Sequence, residues 1–244
     1  MSHKVGVING KEAFMQNIAS RLGRREPLKE APINPVRGVP EHYKAIDLNV
    51  REKIELFAHN WTALSGQVLV VPKAEAKETI AVYLEKVIGE LQVSGVSMWE
   101  HAELLELGLE QQLRALNVMT VPWRIMDTKE EASGISNSNV SNRTNWSGRN
   151  KLLQFTERCE LGIVYPDYVI ANTSTLVLQA RGGQGRSVSL LPSSLIAIFS
   201  ADRLVTRMGE ALQGIRDTYP TNKDYPSSVN MITGPSRSAD IEND

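Results

Sequence analysis

The chain has 244 residues, of which 41% are hydrophobic and 23% are charged. Lys and Arg number 27 against 28 Asp and Glu, so the net charge is −1 and no general attraction to nucleic acid or an anionic membrane follows. No apolar run approaches the roughly 20 residues of a membrane span, and the opening MSHKVGVINGKEAF lacks the apolar stretch of a secretory signal; a cytoplasmic protein with no nucleic-acid or membrane partner is expected.

Along the chain, Phe14, Ile18 and Leu22 recur at helical spacing, which predicts a helix over 11–23. Pro27, Pro32, Pro35 and Pro40 follow closely and exclude both helix and central strand. Residues 1–45 therefore read as an N-terminal helix with a proline-rich arm, and 46–244 as a single α/β domain. Val50, Ile54, Phe57, Trp61 and Leu64 share one face, predicting a helix over 50–64.

From residue 67 the pattern alternates. QVLVV (67–71) reads as a buried strand, and 74–91 as a helix with Ile80, Leu84, Val87, Ile88 and Leu91 inward. A strand is predicted in 93–99, a leucine-rich helix over 101–116 and a short strand over 117–121. This alternation predicts an α/β fold with a mainly parallel sheet flanked by helices. Residues 127–147, rich in Asn and Ser, read as a surface loop or a substrate lid, and 148–159 as a short helix.

In the last third, strands are predicted near 168–171 and 174–179, and SLIAIFS reads as a buried strand. A helix is predicted over 200–215 with Ser200 as its cap and Leu204, Val205, Met208, Leu212 and Ile215 inward. SVNMIT (228–233) reads as a final strand.

Metal chemistry has little to work with. The four histidines (His3, His42, His59, His101) are spread apart, and the single cysteine, Cys159, cannot build a four-thiolate centre alone. No catalytic residue can be named, and no metal site is expected.

Three polar clusters flank predicted strands. ANTSTL (171–176) supplies Thr173 and Thr175, either as hydroxyls for a small ligand or as plain strand decoration. RGGQGR (181–186) places Gly185 and Arg186 in a glycine-dense turn, which permits close backbone approach or simply joins two strands. In TGPSRSAD (233–240), Gly234 and Pro235 stop the strand and suit the start of a helix. Free N–H groups, Ser236 and Arg237 would then favour a carboxylate or phosphate, with Asp240 in the same cluster. The plainer reading has Ser236 and Ser238 capping a helix while Arg237 pairs with Glu242.

Taken together these stretches resemble one family. GPSRSADIE (234–242) resembles the GPSRTADIE signature of the lactate utilization protein C family, a branch of the LUD-domain proteins. DYVIANTSTLVL and GQGRSVSLLPSSLIAIFSADRLV resemble further segments of that family, as do FMQNIASRLGR and the proline-rich arm behind it. The resemblance implies a LUD fold, similar to the ribose-5-phosphate isomerase and CoA-transferase-like superfamily. It also implies a role in oxidising L-lactate to pyruvate as the iron–sulfur-free subunit. Two iron–sulfur partner proteins would carry the clusters, and this chain would need no cofactor of its own. It raises the pocket reading of 233–240, with Arg237 as the anchor of a small anionic ligand. Where the family often has Glu-Thr-Gly-Thr and Pro-Pro-Val-His, this chain has Asn172–Thr175 and Pro192–Leu195, so a carboxylate and an imidazole are missing. The family usually continues past ADIE, so a shortened C-terminal end is expected. Two other functions remain open: a stand-alone transferase or isomerase acting on a phosphorylated or CoA-linked substrate, and a non-catalytic ligand sensor.

Overall fold

The computed structural model describes residues 10–30, 46, 48–124, 145–221 and 225–234. Residues 1–46 and 47–244 form two separate units. In the first, α1 spans Lys11–Arg21, and the proline-rich arm falls largely outside the described residues.

In the second unit, α2 (Val50–Ala63) starts where the sequence dictates. The Asn49 side chain accepts from the Glu52 N–H at 3.0 Å, and the Glu52 carboxylate accepts from the Asn49 N–H at 2.8 Å, a reciprocal cap that satisfies two orphan donors. A short 3₁₀ turn then leads into α3 (Ala76–Leu91), which closes at Gln92 with a left-handed φ of 53°. Next come β1 (Gly95–Met98), α4 (Ala102–Glu106), α5 (Leu109–Ala115), β2 (Met119–Pro122), α6 (Asn145–Glu157) and β3 (Leu161–Val164). The remaining elements are β4 (Tyr168–Ile170), β5 (Thr175–Ala180), α7 (Ser187–Leu190), β6 (Ser194–Ala197), β7 (Leu204–Val205), α8 (Met208–Thr218) and β8 (Ser228–Ile232).

The strands form two four-stranded sheets. One has the order β2-β1-β3-β6 and is wholly parallel, as the alternating pattern requires. The other, β7-β4-β5-β8, is mixed: β4 runs parallel to β7 and antiparallel to β5, and β5 is antiparallel to β8. Leu84, Val87, Leu104, Leu109 and Leu113 of α3, α4 and α5 share one core with Val96, Met98, Leu161 and Ile163 of the parallel sheet. The mixed sheet is covered on both faces, because side chains alternate along a strand. Val169 and Leu176 pack with Phe57 of α2, while Ile170 and Val177 pack with Ala211 and Ile215 of α8.

Several expectations are corrected. Residues 67–71 form no strand: Val68, Leu69 and Val70 are exposed. The helix over 101–116 breaks in two at Gly108, whose φ of +68° a continuing helix cannot accommodate. Leu161–Val164, not foreseen as a strand, lies at the centre of the parallel sheet with all four residues buried. The helix predicted over 200–215 begins only at Met208. Leu204 and Val205 instead pair with Val169 and Ile170 as β7, so Ser200 precedes a 3₁₀ turn. Leu91, Met208 and Leu212, expected inward, are exposed.

Candidate functional site

The parallel sheet aims three segments the same way. Past β1 come Trp99, Glu100 and His101; past β3, Tyr165 and Asp167; past β6, Ser200 and Arg203. The crevice beyond the carboxyl ends of strands is where open α/β sheets hold ligands. Here a cleft of about 390 Å³ opens, lined among others by His101, Asp167, Gln179, Arg181, Gln184 and Arg203. That volume suits a small molecule.

The mixed sheet supplies the opposite wall. Asp167 precedes β4, and its carboxylate accepts from the Gln179 N–H at 2.9 Å and from an Arg181 Nη. Arg181 also donates to Gln184 Oε1 at 2.8 Å and to Tyr219 Oη at 2.9 Å. The Asp167–Arg181 pair is thus internally neutral. Arg203 is different. Its guanidinium lies 5.7 Å from the Tyr165 ring centroid, its Nε is buried without a hydrogen-bond partner, and among the described residues it pairs with no carboxylate. The charged lining residues therefore sum to +1, carried by Arg203.

His101 stacks on Tyr165 with ring centroids 4.3 Å apart and 12° between planes. Its Nδ1 accepts from the Glu103 N–H at 3.3 Å, which places the neutral ring's proton on Nε2. Burial, then the positive charge of Arg203, hold its pKa below 6.5, Glu103 pulling the other way and Arg181 adding to the depression. The imidazole is therefore neutral at physiological pH and is a donor toward an anion. Gln179 is 3% exposed, and its Oε1 has no hydrogen-bond partner.

The loop after β5 welds the two sheets at this point. The Glu100 N–H donates to Gly183 O at 2.8 Å and Trp99 Nε1 donates to Gly185 O at 2.9 Å. A Cβ on Gly185 would fall 2.0 Å from the Trp123 ring.

The foreseen clusters divide between the two ends of β5. Thr173 and Thr175 share a hydroxyl hydrogen bond at 2.7 Å, and Thr175 shares another with Thr233 at 2.7 Å, so 171–176 and the start of 233–240 do meet. Gly234 follows directly, with a φ of +65°, and a Cβ there would meet Leu64 tightly, at 3.0 Å. Ser236, Arg237 and Asp240 lie outside the described residues, as does nearly all of 127–147. Gly185 packs against tryptophan, and Arg186 precedes α7. Thr175 and Ala180 stand at opposite ends of the strand, about 17 Å apart at about 3.3 Å per residue, so the threonine cluster and the cleft are separate places. The sequence patterns pointed to none of His101, Gln179 and Arg203.

A family model, the LUD domain, matches residues 54–244. The chain belongs to the LUD domain family. Curated relatives carry the name Lactate utilization protein C. One from Geobacillus sp. (strain WCH70) is 29% identical over 98% of this chain and 90% of its own length, and one from Macrococcus caseolyticus is 29% identical over 97% and 90%. One from Oceanobacillus iheyensis is 43% identical over 35% of this chain and 37% of its own length. A solved DUF162 family protein from Deinococcus radiodurans matches with a TM-score of 0.49 at 17% identity, covering 77% of this chain and 90% of that one.

Elsewhere in the described part of this LUD domain the single cysteine, Cys159, is buried. Burial, then the neighbouring Glu160, push the Cys159 thiol up to about 11, so it is a poor nucleophile near neutrality. Among the described residues no three His, Cys, Asp or Glu side chains group as metal ligands, and no helix is long and apolar enough to cross a membrane.

Proposed function

We propose that this chain serves lactate utilization by holding a small organic monoanion in the Arg203 cleft. The carrying observation is the lining charge of +1, left on Arg203 once Asp167 and Arg181 neutralise each other. A monocarboxylate matches that charge, whereas a phosphate ester near neutrality brings almost two negative charges. The names of the curated relatives, which cover nearly the whole chain, supply the metabolic setting. In the finer reading the chain is the cluster-free subunit of an L-lactate-oxidising system, with electrons passing through two iron–sulfur partner proteins. The threonine cluster is a second candidate contact, and Arg237, three residues beyond Gly234 in the sequence, is the cation that the family resemblance suggests for it.

Reconstitution tests this. L-lactate-dependent dye reduction by the two iron–sulfur proteins is followed without this chain, with it, and with its Arg203→Leu and Arg237→Ala variants. Activity is expected to require the chain and to drop at least about tenfold with Arg203→Leu, the loss from removing a charged hydrogen-bond donor. A loss with Arg237→Ala alone would move the anion out of the Arg203 cleft. Partners equally active without the chain would refute the subunit reading and favour a sensor.

A further inference from the structure

The cleft holds two unmet hydrogen-bonding demands of opposite kind. Arg203 Nε is a buried donor with no acceptor, and Gln179 Oε1 is a buried acceptor with no donor. Both residues line the same space. Buried polar atoms in native proteins are nearly always paired, so each exception calls for a partner such as a ligand, ion or water. The neighbours leave these two atoms to the ligand: Asp167 is occupied by Arg181 and by the Gln179 N–H, and Arg181 spends its fork on Asp167, Gln184 and Tyr219.

The backbone of Gln179 is fixed. It pairs with Val229 across β5 and β8 and donates its N–H to Asp167 at 2.9 Å. The residue is 3% exposed, so its side chain stays among these neighbours. A carboxylate alone can answer Arg203 but offers Gln179 Oε1 no proton. A carboxylate with a hydroxyl on the adjacent carbon answers both: one carboxylate oxygen accepts from Arg203 while the hydroxyl donates to Gln179. Its 2-oxo counterpart has the same charge and nearly the same shape but no proton to give.

We propose that Gln179 is the specificity-determining residue of the cleft, reading the hydroxyl of a 2-hydroxy monocarboxylate and so favouring the hydroxy acid over the 2-oxo acid. This rests on the assignment of the anion to the Arg203 cleft. It follows the general asymmetry that a site built to pair a substrate hydroxyl rejects the analogue lacking it, because a buried polar atom is then left bare.

The test uses the full chain and three monoanions: L-lactate, pyruvate and propionate. Affinities are measured by isothermal titration and ligand-observed NMR. Wild type is expected to bind L-lactate about tenfold tighter than the other two, the worth of one well-formed hydrogen bond in a dry site. Gln179→Met keeps the volume and removes the acceptor; it should bring L-lactate down to the level of pyruvate and propionate while leaving those two unchanged. Arg203→Met should abolish binding of all three. Equal binding of the three by wild type, or tighter binding of pyruvate, overturns the inference and leaves the anion cleft standing. So does a Gln179→Met variant that weakens all three alike. Failure of wild type to bind any of them overturns the cleft assignment as well. The wild-type ranking is decisive by itself, so the inference stays falsifiable even if a variant does not fold.

Discussion

Gly185 shows what a single residue can and cannot announce. Its place in a glycine-dense turn signals a close approach of backbone to something, and sequence reasoning offers a ligand. The close neighbour is the Trp123 ring, 2.0 Å from where a Cβ would lie, while the Gly185 carbonyl takes the Trp99 Nε1–H. Gly185→Ala forces the Trp123 ring to move, and overpacking of this kind costs about 1–3 kcal/mol. Urea denaturation should show that loss; an unchanged midpoint would mean the turn yields easily and the ring contact is incidental. His101, Gln179 and Arg203 escaped notice for a related reason. Each is isolated in sequence, and no short motif spans the distances between them. The signal they do carry is positional, since His101 follows β1, Gln179 is the penultimate residue of β5 and Arg203 follows β6.

At the level of elements, two apolar runs of similar composition had opposite fates. QVLVV is exposed and forms no ladder among the described residues, while LGIV sits between β1 and β6 with every residue buried. Strand propensity reports fit to a half-buried pleated surface, so the partner decides, and a partner is not written in the run itself. What was legible had a local cause: the apolar stripes of α2 and α3, and the alternation that builds the parallel sheet. What was not legible depended on pairing elsewhere, as when Leu204 and Val205 leave a helical pattern to lie beside β4. The contrast makes a paired prediction. Ile163→Ala in β3 should cost about 2–5 kcal/mol, the range for truncating a fully buried aliphatic side chain. Val70→Thr should change stability by less than about 0.5 kcal/mol, as exposed substitutions do. Chemical denaturation of both decides it, and a large loss at Val70 would show that 67–71 is covered in solution.

At the scale of the molecule, the cleft joins two sheets and gathers charges from both, so pH should couple stability to binding. His101 faces Arg203 and Arg181, which disfavour its protonation, and Glu103, which favours it; Asp167 also lines the cleft but is held by Arg181. Burial comes first among the causes, and the sum lowers the folded-state pKa below 6.5. The unfolded chain therefore binds the histidine proton more readily than the folded one. The stability from keeping His101 neutral is complete above pH 6.5 and is lost as pH falls from there toward the folded pKa. A bound monocarboxylate reverses part of this. Its negative charge offsets Arg203 and raises the His101 pKa in the complex, so the complex takes up protons. By linkage, affinity for L-lactate should strengthen as pH falls through the interval between the free and bound pKa values of His101, while the ligand stays ionised above about pH 5. Two measurements check the pair of signs: melting temperature across about pH 5 to about pH 8, and L-lactate affinity across the same range. The unliganded protein should lose stability toward the acid end while the affinity rises, and His101→Gln should flatten the change in affinity. An affinity independent of pH in the wild type would mean that the anion sits beyond the reach of His101, and the cleft would then have to be divided between Arg203 and a more distant subsite.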